Sequence, residues 1–229
     1  LVRWNHPRLG LLPPGHFIHL AELGELIRPL SLWVVDHALS QWRQWHDRGL
    51  DMQVAVNLSA RNLMDSACPG ALSRLVDKYQ VDHGALELEI TESALIADPD
   101  RAYAILRQAS GLGVEISIDD FGTGYSSLSS LKRLPINTLK IDRSFIQQMI
   151  SNEQDRIIVS STINLARNLG LSVVAEGVED EETALLLADM DCDLLQGYHI
   201  AKPMPVETFD AWLDNNRSAF DSPPETLKS

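Results

Sequence analysis

The sequence predicts an α/β fold, a TIM-like (β/α)8 barrel whose N-terminal strand or strands are missing from this chain. Strand-like and helix-like segments alternate along the 229 residues, which indicates a parallel sheet. Six successive predicted strands each end in a polar side chain, and no G-x-G-x-x-G dinucleotide fingerprint is present. Polar groups delivered from the same end of many strands are typical of a barrel, whereas an open doubly wound sheet gathers its ligands near one switch point.

The predicted strands are short segments rich in apolar residues, some of which alternate with polar ones. They cover 52–57, 86–90, 114–119, 138–141, 172–175 and 193–195. The polar residues at or just after their ends are Asn57, Glu89, Asp119 with Asp120, Lys140, Glu176 and Gln196. Residues 1–4 are predicted to be the tail of a seventh strand, so the chain would begin inside the fold.

The intervening segments have helical patterns. They are predicted at 17–48, 70–79, 99–112, 126–134, 144–169, 180–189 and 205–215. Asp98-Pro99 is a helix start signal, and Gly170 closes the long helix before it. We expect one domain over 1–216 and a flexible tail over 217–229, because the tail contains Pro223-Pro224 and few apolar residues.

Composition excludes several classes of partner. With 19 basic and 32 acidic residues the net charge is −13, and such a surface repels long nucleic acids. A small phosphate ester remains possible, because bound metal ions can invert the local field. No apolar run approaches the ~18 residues that span a bilayer, so we expect no membrane contact by this domain. Two distant cysteines and the lack of signal-peptide features favour a reducing, cytoplasmic location.

Asp119 and Asp120 are the most informative residues, because two adjacent carboxylates stand where a strand opens into a glycine-rich turn. Like charges so close together are costly unless a cation lies between them, and oxygen ligands suit a divalent metal. Simpler interpretations stay open for single residues: Asp119-Asp120 as a helix cap, Lys140 with Asp142 as a surface ion pair, or Glu176 and Glu179 as a helix start. The Gly122–Gly124 turn is not a Walker loop, since no Gly-Lys-Ser/Thr follows.

At several points together the chain resembles the EAL-domain family, the bacterial cyclic di-GMP phosphodiesterases. The matching segments cover nearly the whole chain in family order, and seven together are very specific. They are Leu1-Val2-Arg3-Trp4, Val56-Asn57-Leu58-Ser59, Glu89-Ile90-Thr91-Glu92-Ser93, the segment 119–128, Leu139-Lys140-Ile141-Asp142, Ala175-Glu176-Gly177-Val178-Glu179, and Gln196-Gly197-Tyr198 with Lys202-Pro203-Met204-Pro205.

The resemblance implies a barrel that binds two Mg²⁺ or Mn²⁺ ions, is inhibited by Ca²⁺, and hydrolyses cyclic di-GMP to linear pGpG. The implied metal ligands are Asn57, Glu89, Asp119, which bridges the ions, and Asp120 and Glu176, which serve the second ion. Lys140 would hold or activate the attacking water. Glu176 and Asp120 would act with it as the catalytic residues.

The resemblance also implies substrate contacts and a coupling loop. Arg3 would touch a substrate phosphate and Gln196 would help to place substrate or water, with Leu1, Pro203 and Met204 also at the substrate. The residues that would couple metal binding to a homodimer interface are Glu92, Phe121, Gly122, Thr123 and Gly124. Domains of this type commonly follow sensory or cyclase-like modules in longer proteins, some of them tethered to a membrane.

One departure from the family pattern bears on catalysis. The family is named for a Glu-Ala-Leu triplet, and this chain begins at its leucine, Leu1. The glutamate, a metal ligand in the family, would lie two residues earlier, and activity would be doubtful in a protein without it. A non-catalytic cyclic di-GMP receptor is therefore the alternative function, and a barrel lyase of the enolase kind is a third, family-independent one.

Overall fold

The computed structural model describes the backbone of residues 1–124 and 131–220 and the side chains of 1–124 and 131–216. The strands are β1 (Trp4–His6), β2 (Gly10–Leu12), β3 (Val54–Asn57), β4 (Leu86–Thr91), β5 (Glu115–Phe121), β6 (Thr138–Ile141), β7 (Ser172–Glu176) and β8 (Leu194–Gln196). The described helices are α1 (Ile18–Leu23), α2 (Ile27–Asp47), α3 (Ala60–Leu63), α4 (Cys68–Tyr79), α5 (Pro99–Ser110), α6 (Arg143–Ile146), α7 (Glu153–Leu169), α8 (Glu181–Asp189) and α9 (Val206–Phe220), with short 3-10 turns at Pro14–His16 and Glu92–Leu95.

The strands β3 to β8 form one parallel sheet in which each strand pairs with the next in chain order. The sheet is curled, since residues of its first strand, its last strand and α9 line the same cavity. This is a six-stranded part of a (β/α)8 barrel, which confirms the predicted fold class. All six predicted barrel strands are present, with ends that differ by at most two residues.

The first residues are not the tail of a barrel strand as predicted. Leu1–Arg3 has no strand structure, and β1 pairs antiparallel with β2 in a separate hairpin. The ring nitrogen Nδ1 of His6 accepts hydrogen bonds from the backbone N–H groups of Arg8 and Leu9, and Gly10 has φ +74°. These contacts hold a tight turn, so β1 pairs with the segment that follows it.

Several helix predictions also need correction or fall outside the described chain. The predicted helical stretch over 17–48 is two helices, α1 and α2, which are separated at residues 24–26. The predicted long helix over 144–169 is two helices, because Asn152 leaves the helical conformation and its side chain caps α7 by accepting from the backbone N–H of Gln154. Most of the predicted helix over 126–134 lies outside the described residues. The last helix continues past 215 to Phe220, and residues 221–229 of the predicted tail lie outside the described chain. The domain boundary at 216 stays a prediction.

The strands present opposite chemistry on their two faces. The face that packs against the helices is apolar and fully buried, with Leu88, Ile90, Ile116, Ile118, Leu139 and Ile141 at its centre. Burial of each such side chain stabilises the fold by roughly 1.5–3 kcal/mol. The strand register places polar residues on the other face, which lines the inside of the curled sheet. Within the described ranges, no helix is long and apolar enough to cross a bilayer.

Candidate active site

The candidate site lies at the carboxyl-terminal edge of the sheet, where all six strands end. Because the strands are parallel and sequential, inward-facing residues near the end of each strand reach the same edge. The residues so placed are Asn57, Glu89, Asp119, Lys140, Glu176 and Gln196, from β3 to β8 in order. The prediction that the polar strand ends converge is confirmed by this arrangement.

Lys140 occupies the centre of the site. Lys140 is buried, with 3% of its surface exposed. Its Nζ contacts Glu89 Oε1 and lies 2.6 Å from Glu176 Oε1 and 3.2 Å from Asp119 Oδ1. Burial alone would lower the pKa of Lys140, but the three carboxylates outweigh it and the pKa is raised. Lys140 therefore stays charged and is an electrostatic centre, and its interpretation as a surface ion pair with Asp142 is wrong.

The acidic groups outnumber the cation. Asp119, Asp120 and Glu176 each bring a carboxylate oxygen within 4.8 Å of the other two. Together with Glu89 they place four carboxylates around one ammonium group, and such an excess of buried negative charge is costly. Asp119 Oδ1 is also buried without a hydrogen-bond partner among the described residues. This oxygen has an ion-pair contact with Lys140 but no hydrogen bond, and an oxygen-only donor set of this kind fits a hard divalent cation.

An irregular backbone explains how the neighbours Asp119 and Asp120 can face the same site. In a regular strand adjacent side chains point to opposite faces. The pairing of β5 with β6 shifts between Ile118 and Phe121, and Asp120 has a left-handed backbone with φ +54°. A bulge of this kind re-aims a side chain, and non-glycine residues in this conformation cluster at functional sites.

The Asp120 carboxyl group titrates unusually high as a result. Burial, the neighbouring charge of Asp119 and a hydrogen bond with Asp142 raise the pKa of Asp120 to about 6. Burial also raises the pKa of Glu176, although the Lys140 ammonium group opposes that shift. Both groups are thus carboxylates held where negative charge is unfavourable, as expected for ligands of a cation.

Asn57 and Glu89 lie on the other side of Lys140. The Asn57 Nδ2 group donates to Glu89 Oε2 at 2.5 Å, while Glu89 Oε1 faces Lys140. The structure therefore brings all five predicted metal ligands around the ammonium group, as one pair and one cluster of three.

Glu92 contacts the loop that follows Asp120, as the resemblance implies. Its Oε2 accepts from the backbone N–H groups of Gly124 at 3.2 Å and Gly122 at 3.4 Å. A Cβ atom on Gly124 would come within 2.8 Å of Glu92 Cδ, so a larger residue here would require the Glu92 carboxylate to shift. Thr123 adds a hydrogen bond from its Oγ1 to Asp120 O at 2.8 Å. The remaining predicted part of this loop, Tyr125–Leu128, lies outside the described residues.

The predicted substrate contacts are more scattered. Leu1 is 84% exposed, and Arg3 Nη1 donates to the carbonyl oxygens of Leu1 and Val2 instead of to a site carboxylate. Gln196 lines a cavity of about 380 Å³ together with Glu89 and Lys140. Pro203 and Met204 lie in the connection between β8 and α9. Their roles at the substrate stay predictions.

Sequence reasoning missed Gly197 as a structural residue. A Cβ atom on Gly197 would overlap the carbonyl oxygen and amide nitrogen of Val178. Val178 N donates to Gln196 O at 3.1 Å, and His199 N donates to Val178 O at 3.0 Å, so the loops that follow β7 and β8 lock together. The signal was a glycine directly after a strand-end residue, which marks close backbone approach.

Comparison with known proteins agrees with this geometry. The protein-family model described as the EAL domain matches residues 1–203 of this chain. The chain belongs to the EAL-domain family. Among its relatives, MucR of Pseudomonas aeruginosa, named a bifunctional diguanylate cyclase/cyclic di-GMP phosphodiesterase, is 45% identical over 208 residues, which are 90% of this chain and 30% of MucR. PdeR of Escherichia coli, named a cyclic di-GMP phosphodiesterase, is 39% identical over 212 residues, 93% of this chain and 32% of PdeR.

A solved structure extends the match of this EAL domain to three dimensions. The PaMucR phosphodiesterase in its c-di-GMP complex superimposes with a TM-score of 0.87 at 45% identity, covering 91% of this chain and 85% of that one. The chain spans about a third of the length of the two curated relatives, which are therefore longer proteins.

Proposed function

We propose that this EAL domain is a cyclic-guanylate-specific phosphodiesterase that hydrolyses cyclic di-GMP to linear pGpG in bacterial second-messenger signalling. The observation that carries the proposal is the buried ring of carboxylates around Lys140, in which Asp119 Oδ1 lacks a hydrogen-bond partner among the described residues. The names of the relatives and the c-di-GMP complex of PaMucR supply the substrate.

The residues fit two Mg²⁺ or Mn²⁺ ions. Asn57, Glu89 and Asp119 would hold one ion, and Asp119 would be shared with a second ion held by Asp120 and Glu176. Bound divalent ions would supply charge neutralisation at the phosphate and a lowered pKa for a bound water. The absence of histidine and thiolate from this donor set disfavours Zn²⁺.

The chain's own residues have defined tasks in this reaction. Water attacks phosphorus, the P–O3′ bond breaks, and the proton lost by the water ends on the 3′-hydroxyl of pGpG. Lys140 contacts three carboxylates and would offset the negative charge that develops beside the attacking water. The closeness of Glu176 and Asp120 supports them as the carboxylates that would receive and hold a proton in this reaction. Gln196 lines the adjoining cavity and would orient the substrate.

Product analysis tests the proposal directly. Intact protein that contains this domain is incubated with cyclic di-GMP and Mg²⁺, Mn²⁺ or Ca²⁺, and the nucleotides are separated by chromatography. We expect pGpG to accumulate with Mg²⁺ and Mn²⁺ and hydrolysis to be suppressed with Ca²⁺. If cyclic di-GMP binds tightly but stays uncleaved with all three ions, the domain is a non-catalytic receptor and the proposed enzyme function is wrong.

We also propose that the domain works as a homodimer, in the cytoplasm, under the control of other domains of a longer protein. The loop after Asp120 is tied to buried Glu92, so a partner that engaged this loop would reach the metal ligands. Light scattering of active protein across a concentration series tests this, and full activity from a strict monomer would contradict it.

A further inference from the structure

The short helix α6 lies between the two loops that carry the clustered carboxylates. It follows β6 directly, begins at Arg143 and ends at Ile146, and contributes no ligand of its own. Its cap is firm, because Asp142 accepts from the backbone N–H of Ser144 at 2.9 Å. Each side of this helix contacts one of the two ligand loops.

The first contact supports the loop after Asp120. The aromatic ring of Phe145 lies against Gly122, so that a Cβ atom on Gly122 would be 3.1 Å from Phe145 Cε2. Gly122 has φ +100°, a conformation that glycine adopts readily and other residues rarely do. The ring therefore fills the space where this turn leaves the strained backbone of Asp120.

The second contact supports the loop after Glu176. A Cβ atom on Gly177 would lie 2.5 Å from Arg143 Cβ, and Gly177 has φ +75°. One turn further along the chain, Gln147 Nε2 donates to Glu179 Oε1 at 2.9 Å. The chain that follows Glu176 therefore packs against the start of α6 and is hydrogen-bonded to the residue after its end.

From these contacts we propose that α6 is a spacer that sets the separation of Asp120 and Glu176, with Phe145 and Arg143 as positioning residues for the second metal ion. A hard cation needs its oxygen ligands at defined distances, and residues that orient such ligands typically change metal affinity by about 10- to 100-fold when altered. The proposal rests on the proposed metal-dependent function but concerns residues that touch neither metal nor substrate.

The Gly177 side is tested with a matched pair of glycine variants. Gly177→Ala and Gly170→Ala both place an alanine at a left-handed position, with φ +75° and +71°, but a Cβ on Gly170 meets nothing within 4 Å. Both variants should lose thermal stability from backbone strain, and Gly177→Ala should lose more because of the overlap with Arg143. Mn²⁺ affinity, measured by calorimetry without nucleotide, should fall about 10-fold only in Gly177→Ala. Adding Arg143→Gly removes the opposing Cβ and should restore part of the affinity. Equal Mn²⁺ affinity of Gly177→Ala and the wild type, or a loss that Arg143→Gly does not relieve, would overturn the role of this contact.

The Phe145 side is tested by a size series. Phe145→Ala should weaken Mn²⁺ binding by about 10-fold or more, and Phe145→Leu, which keeps part of the packing, should weaken it less. If the alanine variant does not fold, the leucine variant carries the test. Wild-type Mn²⁺ affinity in folded Phe145 variants would refute the spacer, whereas a wild-type protein that binds no Mn²⁺ would refute the proposed function instead.

Discussion

The inside of the curled sheet has two layers of carboxylates, and they are satisfied in different ways. In the lower layer Glu87 Oε1 accepts from Ser117 Oγ at 2.7 Å, and Glu115 Oε2 accepts from Gln53 Nε2 at 2.7 Å. In the upper layer the acidic groups surround Lys140, and Asp119 Oδ1 has no hydrogen-bond partner within the described part of the chain. Neutral donors contact the lower carboxylates, whereas the upper carboxylates outnumber the single ammonium group of Lys140 that contacts them among the described residues.

The backbone is also regular in the lower layer and irregular in the upper one. Glu87 and Ser117 stand in a regular part of the parallel register, while Asp120 sits at a register shift with a positive φ. An acidic residue inside a barrel is therefore not evidence of a site by itself. The combination of an excess of carboxylates and a strained backbone supports the proposal of a cation site in the upper layer.

The largest expected effect comes from replacing one acidic residue in each layer by its amide and comparing the two variants. Asp119→Asn removes a charge that the proposed ions share, and we expect cyclic di-GMP hydrolysis to fall by about 1000-fold or more. Glu87→Gln keeps its hydrogen bond to Ser117 and should stay within about tenfold of wild type. Initial rates under saturating Mg²⁺ measure both. Near-normal turnover of Asp119→Asn would remove the distinction between the layers.

Lys140 should show an effect of intermediate size that is both kinetic and structural. Lys140→Met removes the only cation that contacts three of the upper carboxylates among the described residues, so metal-free protein should lose about 3–5 kcal/mol of unfolding free energy. Turnover should fall by about 100- to 1000-fold. Urea unfolding with and without Mg²⁺ measures the first effect, and added Mg²⁺ should recover part of the lost stability. A variant as stable as wild type without metal would show that Lys140 does not offset the carboxylates.

Much of this contrast was accessible from the sequence. The polar residues at six strand ends predicted the edge where the site forms, because parallel strands bring their ends together. The adjacent pair Asp119-Asp120 drew attention to the junction where the structure gathers Asp119, Asp120 and Glu176, and the cation there stays a prediction.

The rest depended on contacts between distant segments. Periodicity could not reveal that Asp120 turns back toward the site, because a bulge is set by the pairing of β5 with β6. The break between α6 and α7 was hidden by a continuous helical pattern, and it creates the short helix that contacts Gly122 and Gly177. The hairpin of Trp4–His6 with Gly10–Leu12 was likewise missed, because each strand has three residues and little pattern.

The smallest expected effect concerns the lower layer alone. Ser117→Ala removes the hydroxyl that donates to buried Glu87, and an unsatisfied buried acceptor costs about 1–3 kcal/mol of unfolding free energy. Because the upper ligands keep their contacts, we expect Mn²⁺ affinity and turnover to change little. Urea unfolding and Mn²⁺ calorimetry on the same preparations check both halves. A stability loss accompanied by an equally large loss of Mn²⁺ affinity would mean that the two layers are coupled, and that Glu87 and Ser117 belong to the support of the metal site.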